Sequence, residues 1–287
     1  MQLAEECKGC LFRSQLKKVE RDETDGEKLA AFKDGVRALC ADPPKDYCSP
    51  LLMRDINRLH TKIFGHGIDY SREKSMFNNA LLKMESEFYN KICNSVDPIA
   101  EALKFAMAAN YIDFARLSDL NENAIEIVMQ AVGRAEPEQK VLESFKKKLS
   151  VAKSVCVLHD NCGEIVLDKI LIKVIKKLYP QIAVTSVVRG GEIINDVTKR
   201  DAEEVGLYQV AQVIDNGADA PGTYLAEISP QTISVLEESD IIISKGLGNL
   251  ETLYGERFKV FYTFTCKCEH IAKQFYVPLW SAVFVER

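Results

Sequence analysis

The sequence predicts an α/β protein in which a helical N-terminal region packs on a three-layer α/β domain with a mainly parallel, doubly wound sheet. Three observations carry that reading. Up to about residue 150, apolar residues recur at helical spacing. From Ser154 onward, short apolar runs at 154–158, 182–188, 208–214, 240–244, 258–264 and 281–285 are mostly separated by helical patterns. Strands joined by crossover helices build a parallel sheet. Several of those runs end in Asp, Asn and Gly clusters, and an open α/β sheet binds its ligands beyond the carboxyl ends of its strands. The expected division is a helical region over 1–95 and an α/β metal-binding catalytic domain over 96–287.

Each element has its own signal. Residues 26–40 place Leu29, Phe32, Val36 and Leu39 on one helical face, and Asp42-Pro43-Pro44 stops the helix. Ser49-Pro50 is a cap followed by proline at the first helical position, opening a helix to about residue 64. Gly65-His66-Gly67 breaks the chain. One long helix is then expected over 71–92 through Phe77, Leu81, Met84 and Phe88. Asp97-Pro98 repeats the cap signal before an alanine-rich helix to about residue 110. Amphipathic helices follow over about 123–131 and 137–149, and Lys146-Lys147-Lys148 suits the negative end of the latter's dipole. Val155 to Leu158 reads as a buried strand, Asp160 to Gly163 as a tight polar turn, and Glu164 as the start of an amphipathic helix over 165–178.

Bulk properties narrow the function classes. The 287 residues are 47% hydrophobic and 28% charged, the balance of a globular protein with a sizeable core. A net charge of −5 argues against a nucleic-acid partner. No apolar run approaches the roughly 18 residues of a membrane span, and the acidic N-terminus lacks a signal peptide's apolar stretch. The expected location is the cytoplasm. The 9 cysteines are odd in number and scattered, which does not describe a disulfide framework. Cys7-x-x-Cys10 is half a zinc site by spacing. With Cys266-x-Cys268 it would make a second metal site if the N-terminus folds against the last βα unit.

Four polar clusters sit at predicted strand ends. Asp160-Asn161 offers an anionic and a neutral oxygen, a pairing that suits Mg²⁺ or Mn²⁺. Lys245-Gly246 combines a cation with a residue that lets backbone N–H groups approach an anion, which makes both candidates for binding phosphate. Neither a P-loop nor a Gly-x-Gly-x-x-Gly turn is present. Arg189, before Gly190-Gly191, either clamps phosphate or closes its own loop. Asp113, Glu164 and Asp219 are candidates for proton transfer or for orienting the site, and equally for turn and helix-start carboxylates.

Four stretches resemble the metal-dependent damage-control phosphatase family, known as domain of unknown function 89, in its stand-alone microbial form. They are Asp160-Asn161-Cys162-Gly163-Glu164, Val188-Arg189-Gly190-Gly191 with Ile194-Asn195-Asp196, Asp215-Asn216-Gly217-Ala218-Asp219, and Ser244-Lys245-Gly246-Leu247-Gly248-Asn249. Asn110-Tyr111-Ile112-Asp113 resembles the family's Gly-Asn-x-Ile-Asp segment, and Cys7-x-x-Cys10 its N-terminal cysteine pair. The resemblance implies hydrolysis of small phosphate monoesters, sugar phosphates or damaged phosphometabolites, with Mg²⁺, Mn²⁺, Co²⁺ or Ni²⁺. It assigns the metal to Asp160, Asn161 and Asp196, the phosphate to Lys245, and a place near the substrate to Asn110. Ala109 and Cys162 depart from the family's usual glycine and alanine, and Cys162 would alter metal preference or make the site sensitive to oxidation.

Three side-chain ligands leave coordination positions for water and a phosphate oxygen. The expected nucleophile is a metal-activated water, with a carboxylate that forms a phospho-enzyme as the other route. Asp160, Lys245, Asp113 and Glu164 are the expected catalytic residues, and Asn110, Arg189, Lys245 and Gly246 the expected substrate contacts. Two rival readings are an S-adenosylmethionine-dependent methyltransferase on a similar sheet and a non-enzymatic metal- or nucleotide-binding module.

Overall fold

The computed structural model describes residues 1–110 and 123–287. Five strands, β1 (Ser154–Leu158), β2 (Ala183–Val188), β3 (Gln212–Asp215), β4 (Ile241–Lys245) and β5 (Val260–Thr265), run parallel. A sixth, β6 (Ala282–Glu286), pairs antiparallel with β5. The order across the sheet is β3-β2-β1-β4-β5-β6. The chain therefore winds outward from β1 through β2 and β3, then returns to the other side of β1 for β4. That reversal opens a crevice between the carboxyl ends of β1 and β4, where ligands of such sheets bind. All six expected strands are present. The third starts later than expected, because Leu207–Gln209 forms a single 3₁₀ turn before the strand begins.

The helices from the first half are α1 (Glu5–Asp22), α2 (Gly26–Ala41), α3 (Ser49–Phe64), α4 (Ser71–Leu82), α5 (Glu85–Cys93), α6 (Pro98–Ala109), α7 (Asn123–Arg134) and α8 (Gln139–Leu149). Asp25 and Asp97 cap α2 and α6 by accepting backbone N–H bonds, as their positions before the helices suggest. The single helix expected over 71–92 is two helices. At the break the Met84 N–H turns back to the Leu81 carbonyl, tightening the last turn. No proline or glycine marks this break. It lets Phe77 and Leu81 on α4, then Phe88 and Ile92 on α5, bury themselves in turn against the molecule.

Helix α9 (Glu164–Leu178) differs from its expected amphipathic character. Nearly every residue from Glu164 to Ile175 is buried. It lies between one sheet face and helices α4, α5 and α6, so neither side faces water. Its charges are matched inside: Lys169 lies 2.6 Å from Glu85 and Asp168 lies 2.9 Å from Lys245.

Two apolar cores flank the sheet. One joins Val155, Val157, Ile243 and Phe261 to α9, α6, α5 and α8. The other joins Leu158, Ile214, Ile242 and Phe264 to α11 (Pro230–Glu238), α12 (Gly246–Leu253) and α13 (Glu269–Phe275). A short helix, α10 (Lys199–Glu204), lies between β2 and β3. A third, smaller core ties α1, α2 and α3 together through Leu16, Phe32, Leu52 and Phe64. Among the described residues no helix is long and apolar enough to cross a membrane.

Helix α8 is held to the sheet by Phe145, whose ring meets Phe261 at 5.0 Å and Phe284 at 5.5 Å. Phe145→Ala is expected to destabilise the protein by about 3–5 kcal/mol through lost burial and a cavity, measured by equilibrium urea unfolding.

Candidate active site

The turn after β1 brings the expected metal residues together. Asn161 and Asp196 form an antiparallel bridge outside the strands. Cys162 N–H donates to the Asn195 carbonyl at 2.9 Å, and Val197 N–H donates to the Asp160 carbonyl at 2.9 Å. This backbone pairing sets Asp160, Asn161 and Asp196 on the wall of one pocket of about 240 Å³ at the sheet's reversal point. Gly246 makes the approach from β4 feasible. It has φ +77°, and a Cβ there would lie 1.9 Å from Asp160 Oδ2.

The carboxylates are oriented from behind. Arg189 Nε donates to Asp196 Oδ2 at 2.6 Å, its Nη2 reaches Asp160 Oδ1 at 3.4 Å, and its Nη1 donates to Asn249 Oδ1 at 3.0 Å. Asn161 Nδ2 donates to Asp160 Oδ2 at 2.6 Å and to Glu164 Oε2 at 3.2 Å, which leaves its Oδ1 as an acceptor. Asn110 Nδ2 donates to Asp160 and Glu164, while its Oδ1 accepts from Thr265 N–H at 2.9 Å. Asn249 Nδ2 donates to the carbonyls of His159 and Lys245, stitching the ends of β1 and β4 together.

Burial raises the Asp160 carboxyl well above the usual carboxylate range, and the charges of Asp196 and Glu164 push it further, against Arg189 and Lys267. Asp196 is raised too, by burial and by Glu164, against Arg189 and Lys74. Two buried, mutually repelling carboxylates beside an amide oxygen form an environment that a divalent cation relieves. The donor set is oxygen only, which suits a hard metal. Among the described residues no group of three or more His, Cys, Asp or Glu side chains is placed to hold a metal; Asp160, Asn161 and Asp196 offer two carboxylates and one amide oxygen at the pocket wall.

A family model described as the damage-control phosphatase ARMT1-like domain matches residues 3–283. The chain belongs to this family. It is therefore an enzyme of the phosphatase class. A protein of Archaeoglobus fulgidus named a damage-control phosphatase is 27% identical over 296 residues, covering 99% of this chain and 98% of that one. An uncharacterised protein of Methanocaldococcus jannaschii is 30% identical over 241 residues, 81% of this chain and 78% of its own. The crystal structure of a DUF89-family protein from Pyrococcus horikoshii has the same fold, with a TM-score of 0.88, 24% identity and 99% of both chains covered.

Several members of the expected site occupy other places than the pocket wall. Lys245, expected against phosphate, is fully buried. Its ammonium lies 2.8 Å from Glu164 Oε1 and 2.9 Å from Asp168 Oδ1, and it donates to the Ala106 carbonyl. Glu164, expected among the catalytic residues, faces Asn110, Asn161 and Lys245 rather than the pocket. Arg189 is likewise buried and engaged with Asp160, Asp196 and Asn249. Asp219 pairs with Arg58 at 2.7 Å beside a second cavity of about 300 Å³. Asp113 lies outside the described residues. Burial pushes the Cys162 thiol upward, with the charges of Asp201 and Asp196 assisting and Lys74 opposing, which makes it a poor nucleophile.

The fold adds residues that the sequence did not single out. Lys267, two residues past β5, lines the pocket and acts on Asp160 by charge. Its position just beyond a strand's carboxyl end was the available signal, masked by the cysteines on either side of it. Glu251 on α12 also lines the pocket, and burial pushes its carboxyl up to about 7 against a hydrogen bond from Ser49. Ile194 separates the two cavities and has φ +46°, a left-handed conformation unusual for a β-branched residue. Strain of that kind persists where the surroundings hold it, here between Ile193 in the core and the Asn161–Asp196 bridge.

The Asp168 carboxyl bears its own burial, but Lys245 and His159 hold it below the usual range. Its stabilisation is thus present above the ordinary carboxylate pKa and is lost as the pH falls through the depressed value. Lys245→Met would leave Glu164 and Asp168 buried without their cation. Urea unfolding at pH 7 is expected to show a loss of about 3–5 kcal/mol. In a separate test, Gly246→Ala is expected to displace the Asp160 carboxylate and to abolish the Mn²⁺-induced rise in melting temperature expected of the parent.

Proposed function

We propose that this protein is a metal-dependent phosphatase acting on small phosphate monoesters, sugar phosphates or damaged phosphometabolites. The observation that supports this most is the convergence of Asp160, Asn161 and Asp196 on one pocket that Lys267 also lines. The pocket is small and walled on one side by Leu11, Pro50, Met53 and Leu247, which suits a compact leaving group. Membership of a phosphatase family disfavours the methyltransferase and non-enzymatic readings.

Asp160, Asn161 and Asp196 would hold Mg²⁺, Mn²⁺, Co²⁺ or Ni²⁺. When bound, such a metal neutralises charge on the phosphoryl group and activates water. The protein's own residues supply the rest. Lys267 brings a positive charge to the transferring group, where a preorganised cation lowers the barrier. Arg189, Asn110 and Glu164 fix the rotamers of the ligand side chains, so that no reorganisation is needed as charge develops. Lys245 acts through Glu164, fixing its carboxyl group in place as an acceptor for the Asn110 and Asn161 amides. The cytoplasm remains our proposed location, and nine unbridged cysteines suit a reducing compartment.

Phosphate release from a panel of sugar phosphates and other small phosphate monoesters tests this reading. Activity is expected with at least one of the four metals and lost in EDTA. Asp160→Ala and Asp196→Ala are each expected to lower kcat/KM by about 10²–10³-fold, and Lys267→Ala by about 10²-fold. Full activity in EDTA, or in either aspartate variant, would overturn it. Because protons compete for the raised carboxyls of Asp160 and Asp196, metal affinity is expected to fall as the pH is lowered through their pKa values. Calorimetric titration with Mn²⁺ across pH reads this independently of turnover.

A further inference from the structure

The Cys7, Cys10, Cys266 and Cys268 thiols make no metal site among the described residues. The second cavity, about 300 Å³ in volume, continues the metal pocket along three segments of chain. On α3, Pro50 and Met53 line the pocket, and Asn57 and Thr61 line the cavity. After β2, Asn195 and Asp196 line the pocket, Glu192 and Ile193 the cavity, and Ile194 both. After β3, Pro221 lines the pocket and Asp219 the cavity. Two spaces that share their walls segment by segment, and one residue outright, are consecutive lengths of one groove.

Ile194 marks the border between them. Its φ of +46° puts a β-branched residue in left-handed backbone. The Asn161–Asp196 bridge holds the chain on one side of it, and buried Ile193 on the other. Strain held by its surroundings in this way is a feature of ligand clamps.

The two lengths differ in chemistry. The pocket has an apolar wall of Leu11, Pro50, Met53 and Leu247, so a polar chain leaving the metal residues finds its partners past Ile194. There Asn57 offers an amide, and Glu192 and Asp219 offer carboxylate oxygens. Thr61 Oγ1 donates to the Asn57 carbonyl at 3.1 Å and keeps its lone pairs for an incoming hydroxyl. Arg58 does not supply a free cation. Its Nε and Nη2 are taken by Asp219 at 3.0 Å and 2.7 Å. A second phosphate would therefore meet two carboxylates and a guanidinium already paired. Hydroxyl groups, which donate and accept, match the lining.

We propose that the second cavity is a distal subsite that takes the hydroxyl-bearing, uncharged end of a leaving group passing over Ile194. The phosphoryl end of this reading rests on the phosphatase function proposed above. From Met53 to Asn57 the helix rises about 6 Å, so an ester that engages both lengths of the groove carries a chain of about five or six carbons. Asn57 and Thr61, four apart on one face of α3, bind that chain from the helix side. Glu192 and Asp219 accept from its hydroxyls on the loop side.

Calorimetric titration of the full chain in Mn²⁺ buffer with phosphonate analogues tests this without turnover, because a C–P bond replaces the ester linkage. A six-carbon hexitol phosphonate is expected to bind about tenfold more tightly than the three-carbon glycerol analogue. Asn57→Ala combined with Thr61→Val, at half-buried and exposed positions, is expected to erase that preference. A second phosphonate at the far end of the hexitol is expected to weaken binding. For the corresponding esters, the ratio of kcat/KM between six and three carbons is expected to fall about tenfold in the double variant, through KM rather than kcat. No binding of the six-carbon analogue, equal affinity for the two lengths, a preference that survives in the double variant, or tighter binding of the doubly charged analogue would each overturn the proposal. A length preference in the titration with no hydrolysis of any ester would remove the phosphatase reading and leave the subsite standing. Hydrolysis without a length preference would do the reverse.

Discussion

Asp160 and Asp196 are two carboxylates held side by side where little water reaches them, and the surrounding polar structure answers that repulsion. Each would be neutral or apart if left alone. Arg189 lies behind both and is buried with them. Asn110 and Asn161 turn amide hydrogens onto Asp160 and Glu164. Lys245 neutralises Glu164 and Asp168 one layer deeper, and His159 closes the series on Asp168 at 3.1 Å. The result is a connected network of charges in which the outermost pair faces the pocket.

The network explains why the second half of the chain is built as it is. A doubly wound sheet brings β1 and β4 together at its reversal, and four of the network's members sit on or directly after those strands: His159, Asp160, Asn161 and Lys245. Asn249, on the helix after β4, binds carbonyls at both strand ends and carries Arg189 on its side-chain oxygen. Helix α9 must then be buried on all sides, since its first turn supplies Glu164 and its second Asp168. The helical layer outside it (α4, α5 and α6) covers that helix and delivers Asn110 at the end of α6. Covering that helix and lining the pocket fall to the same elements.

Much of this was legible in the chain. The six strands, the proline-marked starts of α3 and α6, the Asp97 cap and the strand-end clusters follow from local patterns, because side-chain periodicity and cap chemistry act over a few residues. Ser49, expected as a cap, is instead the first residue of α3, which has no side-chain cap. Asp160 and Asn161 were legible as oxygen donors from the residues themselves and Asp196 through the family resemblance, and all three line one pocket. What went unread has a common physical cause. The break between α4 and α5 carries no proline or glycine and reflects the surface that the helices must follow. The full burial of α9 depends on a layer contributed by residues 71–109. Lys267 and Glu251 have no motif spacing, and only the closing of β5 and α12 around the crevice makes them pocket residues.

Residue type and short-range pattern thus determined the class of sheet, the oxygen-rich donor set and the side of the sheet on which the site lies. Those properties depend on local propensity and on the general geometry of parallel strands. Tertiary structure alone decided which lysine meets the pocket. Lys245 and Lys267 both lie at strand ends, but Lys245 points to the face covered by α9, where Glu164 and Asp168 hold its charge out of water. Lys267 stands beyond the end of β5, where the crevice opens. A one-dimensional chain carries the two charges equally; the low-dielectric interior and the carboxylates packed within it separate their roles.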